Sequence, residues 1–249
     1  MKKILGLFLF LTLAVVVTAC GEKEKTGTGY GLVHKNYVGE VKVSQKGKKI
    51  TNVEVEEYFL LSSVGTLAAS DSYDVTETGN VVKINTEKDA TKDAKYKYYA
   101  KYILVDNKLF TGSEKENDIQ YLNSDNKEIK DIVKEQDAAK NYAEAAKNGK
   151  VFIVDNATAT TKSTTLTLTG DVAKSFQKSK TEYWKEGGHG LGWKKNIEHF
   201  VASMKETGID VTFTKKDSKW VAGDHTSSAT IVDFLDYHAV AKLALANIK

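Results

Sequence analysis

Proline is absent from the 249 residues, so Gly, Asn, Asp and Ser must make every turn. Arginine is absent too: all 36 basic residues are lysine, and any phosphate would meet point charges rather than planar bidentate forks. The single cysteine excludes an intramolecular disulfide framework and any Cys-pair metal site. An excess of one charge is also missing, because 33 acidic residues leave a net charge of only +3. That near-balance carries no electrostatic footprint for nucleic acid, and no nucleic-acid partner is expected. What is present, 41% hydrophobic residues in a chain of this length, is enough for a real core in one large domain or two small ones.

The N-terminus reads as an address. Lys2 and Lys3 precede an apolar run, Ile4 to Val17, broken only by Gly6 and Thr12. The run is short for a span, which needs ~20 apolar residues, and has the layout of a secretory h-region. It ends Val17-Thr18-Ala19-Cys20, which resembles the lipobox of bacterial lipoproteins, in which the thiol is diacylated and becomes the new N-terminus. The alternative is an uncleaved anchor with a buried cysteine. The resemblance implies a signal peptide over 1–19 and a diacylated Cys20, palmitate-type chains holding the protein firmly in the lipid bilayer at the outer face of the cytoplasmic membrane. Loss of Lys2 and Lys3 takes the net charge from +3 to +1. Residues 20–28, polar and glycine-flanked, suit a flexible tether, leaving 29–249 as one domain.

Within that domain the pattern predicts an α+β fold, with antiparallel hairpins, packed helices and a C-terminal amphipathic helix. From Tyr37 the apolar residues alternate, and after Gln45-Lys46-Gly47-Lys48-Lys49 a second run extends from Ile50 to Leu61, which reads as a hairpin. Residues 62–95 are richer in Ser, Thr, Asp and Gly and read as an inserted surface excursion with one short strand at Val81-Val82-Lys83-Ile84. A strand from Tyr96 turns at Asp106-Asn107. Ile129 to Asn148 and Trp193 to Met204 repeat at helical spacing, closed by Gly149 and Gly208. Val151 to Val154, Thr164-Leu166-Leu168 and Ile209-Val211-Phe213 look like strands. Ile231 to Ile248 is the last helix, so the preceding turn is delivered to a helix N-terminus, where free N–H groups and a positive dipole end favour phosphate.

That turn reads Asp224-His225-Thr226-Ser227-Ser228-Ala229-Thr230. It resembles the flavinylation signature of FMN-binding domains: an Asp, two variable residues, Ser or Thr, usually Gly, then Ala and Thr or Ser. Asp224, Ser227, Ala229 and Thr230 match, while Ser228 stands where glycine is usual and loses its free access to positive φ. Trp220 to Asp224, Ile231 to Tyr237, Gly29-Tyr30-Gly31 with Gly39 to Val43, and Tyr183-Trp184 with Gly190 to Lys194 also look like this family. The resemblance covers about residues 28–249, dense at both ends and thin through 60–130. It implies FMN joined by its phosphate to Thr230, with Asp224, Ser227, Ser228 and Ala229 around it, by a flavin transferase using FAD as donor. It also implies an electron carrier, rather than an enzyme with its own substrate, between a membrane quinone-linked electron donor and an external electron acceptor. The alternative for this turn is a Ser- or Asp-capped helix start in a solute- or surface-binding lipoprotein without a cofactor.

Other motifs carry less. Asn156-Ala157-Thr158-Ala159-Thr160-Thr161 echoes the Ala-Thr end of the signature but lacks the Asp, and reads as a polar strand or turn. Five histidines include no HExxH or His-x-His spacing, and no metal site is expected. Gly187-Gly188-His189-Gly190 permits a loop that lips a cofactor, with Trp193 beside the flavin.

Overall fold

The computed structural model describes residues 22–89, 91–187 and 190–249. The signal peptide expected over 1–19 and the lipidation expected at Cys20 fall outside the described residues. The fold is α+β, and its sheets are antiparallel. No helix among the described residues is long and apolar enough to cross a membrane.

The first sheet is a meander of β1 (Lys25–Val33), β2 (Tyr37–Lys46) and β3 (Lys49–Phe59). Lys25–Thr28, read in the sequence as tether, pair with Gln45–Lys42 on β2. Gly47 turns β2 into β3 at φ 61°. Glycine in β1 has a packing cause: a Cβ on Gly29 would stand 2.3 Å from the Val240 carbonyl oxygen, and one on Gly27 2.1 Å from that of Ala244. The C-terminal helix therefore lies on this strand at backbone distance.

After β3 the chain leaves the first sheet at Phe59 and returns at Phe176, whose carbonyl accepts the Phe59 N–H at 3.1 Å. The excursion expected over 62–95 is thus much longer. It holds α1 (Leu61–Val64), β4 (Thr66–Leu67), β5 (Val81–Asn85) and β6 (Tyr96–Ala100), the strands ordered β4-β6-β5. It continues through β7 (Tyr102–Val105), β8 (Lys108–Lys115) and β9 (Asp118–Leu122), then α2 (Ile129–Ile132), α3 (Gln136–Lys147) and β10 (Val151–Val154). These strands order as β10-β7-β8-β9. Without proline, the two-residue turns Asp106-Asn107 and Glu116-Asn117 both take positive φ, the type I′ geometry that matches strand twist. The single helix expected over 129–148 is broken between Ile132 and Gln136, and Gly149 ends it at φ 69°.

The last third supplies α4 (Gly192–Thr207), β11 (Thr214–Lys216), β12 (Lys219–Ala222), β13 (His225–Thr226) and α5 (Phe234–Ala246). Two expected strands do not form. Leu168 makes only an isolated bridge to Leu67, and the Ile209 carbonyl is taken by His238 Nε2 at 2.7 Å. Leu166, Ile209 and Phe213 are nonetheless buried, so their alternation records separate contacts with the core, not a ladder. α5 is less amphipathic than expected, since Leu235 and Leu243 are exposed.

Candidate functional site

The turn from β12 to α5 sorts its residues alternately. Gly223, at φ 57°, reverses β12 into β13 and leaves Asp224 exposed at the tip. Ser227 is buried: its N–H donates to the Trp220 carbonyl at 2.8 Å, and its Oγ accepts the Ala229 N–H at 3.2 Å. Ala229 is buried while Ser228 and Thr230 are exposed. Ser228 does not take positive φ, so the serine in place of glycine is unstrained.

Thr230 is held by a residue from α4. Asn196, fully buried, accepts at Oδ1 the N–H of Thr230 (2.7 Å), the N–H of Ile231 (3.0 Å) and the hydroxyl of Thr230 (3.2 Å). Its Nδ2 donates to the Gly192 carbonyl at 2.7 Å, which fixes the amide orientation. These N–H groups are therefore occupied, and α5 begins only at Phe234. The expected free helix N-terminus does not lie at Thr230.

Beside Thr230 opens a cavity of about 390 Å³, lined by Tyr183, Trp184, Ile231, Val232 and Tyr237, with Lys178, His34 and Asp233 as its charged or titratable groups. The β1–β2 turn is pinned there: His34 Nδ1 contacts Asp233 Oδ2, and the His34 N–H donates to Asp236 Oδ2 at 3.0 Å. Asp233, at the N-terminus of α5, makes no side-chain cap because its carboxylate is turned to His34. Trp184 is fixed from α4, its carbonyl accepting the Trp193 N–H at 2.9 Å. Of the five residues aligned with the signature, Thr230 alone borders this cavity; Asp224, Ser227, Ser228 and Ala229 build the turn that presents it.

Lys178, in the cavity wall, forms a buried charge pair with Glu57 behind it. Lys178 Nζ is 2.7 Å from Glu57 Oε2, the two side chains being 3% and 0% exposed. Glu57 Oε1 accepts from the Tyr237 hydroxyl and the Trp193 indole N–H. The ammonium also sits 4.1 Å from the centroid of Tyr37 and 5.0 Å from that of Tyr183. Burial pulls the Lys178 pKa below its ordinary value, against the upward pull of Glu57. Burial, with the Glu57 carboxylate adding to it, drives the Tyr237 phenol well above its own. Next to Glu57 on β3, Glu56 clamps the returning segment, accepting the Ser179 N–H at 3.1 Å and contacting Ser179 Oγ.

Trp193 is buried against Glu57 and does not line the cavity; Trp184 does. The glycine loop expected as a lip falls partly outside the described residues, at Gly188 and His189. A second cavity of about 420 Å³ shares the Tyr183–Trp184 wall and includes Lys185 and Lys194. Thr158 sits in an Asn156 turn, its N–H donating to Asn156 Oδ1 at 3.0 Å. Ser203 Oγ lies 3.0 Å from His225 Nε2, whose Nδ1 is 3.3 Å from Glu206, the order of a Ser–His–acid relay. Ser203 is 1% exposed in mid-helix, so a substrate carbonyl does not reach it. Among the described residues no group of three His, Cys, Asp or Glu side chains could hold a metal ion.

Glu57, Lys178 and Asn196 escaped the sequence reading. A signal existed for two of them: Glu57 shares strand parity with Val53, Val55 and Phe59, and Asn196 falls between Trp193 and Phe200 on the apolar face of α4. No family model, no curated protein and no solved structure matches the chain.

Proposed function

We propose that this chain is a lipid-anchored flavoprotein that carries FMN as a phosphoester on Thr230 and relays electrons outside the cytoplasmic membrane. The observation that carries the reading is an exposed Thr230 on the rim of a cavity walled by aromatic side chains. Its volume falls in the ~300–1,000 Å³ range of small-molecule sites. FMN, when bound, supplies reversible acceptance of electrons from one partner and their release to another.

The chain's own residues then have separable tasks. Asn196 fixes the backbone and hydroxyl of Thr230, so that the nucleophile meets the transferase in one orientation. In the transfer, Thr230 Oγ forms the bond to the flavin-bearing phosphorus of FAD, the hydroxyl proton goes to the transferase, and AMP leaves. Tyr183 and Trp184 offer flat apolar surface against which a ring stacks, and Lys178 contributes a fixed positive charge. Cys20, through its acyl chains, keeps the carrier beside a membrane quinone-linked donor.

The test is the visible spectrum of the full chain after co-expression with a flavin transferase and FAD supply, followed by acid precipitation. Yellow colour that stays with the pellet supports a covalent flavin. Colour that leaves in the supernatant refutes the covalent bond, and a colourless protein that also fails to bind added FMN returns the cavity to a solute-binding lipoprotein.

A further inference from the structure

The Glu57–Lys178 pair is costly as architecture. Two charges taken out of water are only partly repaid by their attraction, and well-packed apolar residues of similar volume commonly serve as well or better. Here the cost is met with unusual completeness. Glu57 receives an ammonium, a phenol and an indole N–H, and the ammonium lies over the rings of Tyr37 and Tyr183. All of this holds one cation in the wall of the cavity that Thr230 borders. The returning segment is also clamped to β3 by other contacts, through Glu56 and the Phe59–Phe176 bond.

We infer that Lys178 tunes redox chemistry: the Glu57–Lys178 pair turns its ammonium end, not its carboxylate, toward the flavin ring and raises its reduction potential. The inference rests on the FMN reading above. Reduction adds two electrons and one proton to the neutral oxidised ring and leaves one negative charge on it. In the test, the electrons come from dithionite, which is oxidised to sulfite, and the proton comes from water. Neither Lys178 nor Glu57 is a reactant in this step. Because Lys178 lines the cavity and Glu57 lies behind it, the nearer positive end of the pair outweighs the carboxylate, and in a poorly solvated wall that difference is felt more than in bulk water. It also acts without the rearrangement a mobile surface lysine would need.

The experiment is a spectroelectrochemical titration of the flavin-loaded full chain in detergent, with intact mass recorded on each sample. Lys178→Met is expected to weaken binding of the reduced relative to the oxidised ring at least tenfold, which lowers the midpoint by about 30 mV for a two-electron couple. Lys178→Arg, which keeps the charge, should restore the wild-type midpoint. If Lys178→Met fails to fold because Glu57 is left alone, the Glu57→Gln/Lys178→Met variant removes both charges and should again lower it. Flavin present on wild type and variant with an unmoved midpoint overturns the inference and leaves the FMN reading standing. A wild-type chain without flavin mass overturns that reading, and this inference with it.

Discussion

Replacing Asn196 with alanine separates the fold from the chemistry of Thr230. The amide oxygen satisfies three donors, but they are not equal. Thr230 is exposed, so water takes over its N–H and hydroxyl. Ile231 is buried, and its N–H loses its acceptor, a loss of about 1–3 kcal/mol. The buried Gly192 carbonyl loses the Nδ2 donor, and the truncated side chain leaves a small void, together on the order of 1 kcal/mol. The expected destabilisation is therefore about 2–4 kcal/mol, large but inside the ~5–15 kcal/mol of an ordinary domain. Urea unfolding of the full chain in detergent should show it as a lower midpoint with an unchanged slope. The folded fraction should also accept flavin on the order of ten- to a hundredfold more slowly, because a hydroxyl no longer fixed meets the transferase in the wrong orientation. Asn196→Asp, which keeps an acceptor at the same place, should retain more of the rate than Asn196→Ala. Stability within about 0.5 kcal/mol of wild type, together with an unchanged rate of flavin transfer, would refute the reasoning.

Further consequences follow from other contacts. Gly29→Ala puts a Cβ 2.3 Å from the Val240 carbonyl oxygen and 2.6 Å from the Ala244 nitrogen, so α5 must move; a loss of about 1–3 kcal/mol or more is expected in the same unfolding assay. Burial holds the His238 pKa below its ordinary value of 6.5, opposed by the Ile209 carbonyl. The unfolded chain then binds a proton there before the folded one does, so stability falls as pH drops below about 6.5, by at most ~1.4 kcal/mol per pH unit. His238→Gln should flatten that acid limb when unfolding is followed between neutral and mildly acid pH. Trp184→Leu should brighten the emission of the bound flavin, since Trp184 lines the cavity and Trp193 is buried behind it; an unchanged yield would place the ring elsewhere.

Regular alternation and regular turns made part of this structure readable in advance. The β2–β3 hairpin was legible because apolar residues alternate on both sides of Gly47, and the helices because Gly149 and Gly208 close runs at helical spacing. The first half of β1 was not, because Lys25-Thr26-Gly27-Thr28 has the composition of a tether, whereas Gly29-Tyr30-Gly31 does pair with Gly39 to Val41 as the resemblance to a first hairpin implied; Gly27 is explained only by the helix backbone lying against it. The turn carrying Thr230 could be found by its residue types, whereas the partners that hold it come from 34 residues away in the chain. Lys178 sits in a stretch without periodicity, and its role depends on Glu57, 121 residues earlier, facing inward on β3. Local pattern marks strands and turns; it does not mark which distant polar side chain will be buried opposite.

The most direct measurement is the intact mass of the full chain and of its Thr230→Ala variant, each co-expressed with a flavin transferase and FAD supply. The account predicts that the wild-type chain gains the mass of one phosphoester-linked FMN and that Thr230→Ala gains none. A wild-type chain that gains nothing, or a Thr230→Ala chain that gains as much as wild type, would contradict it.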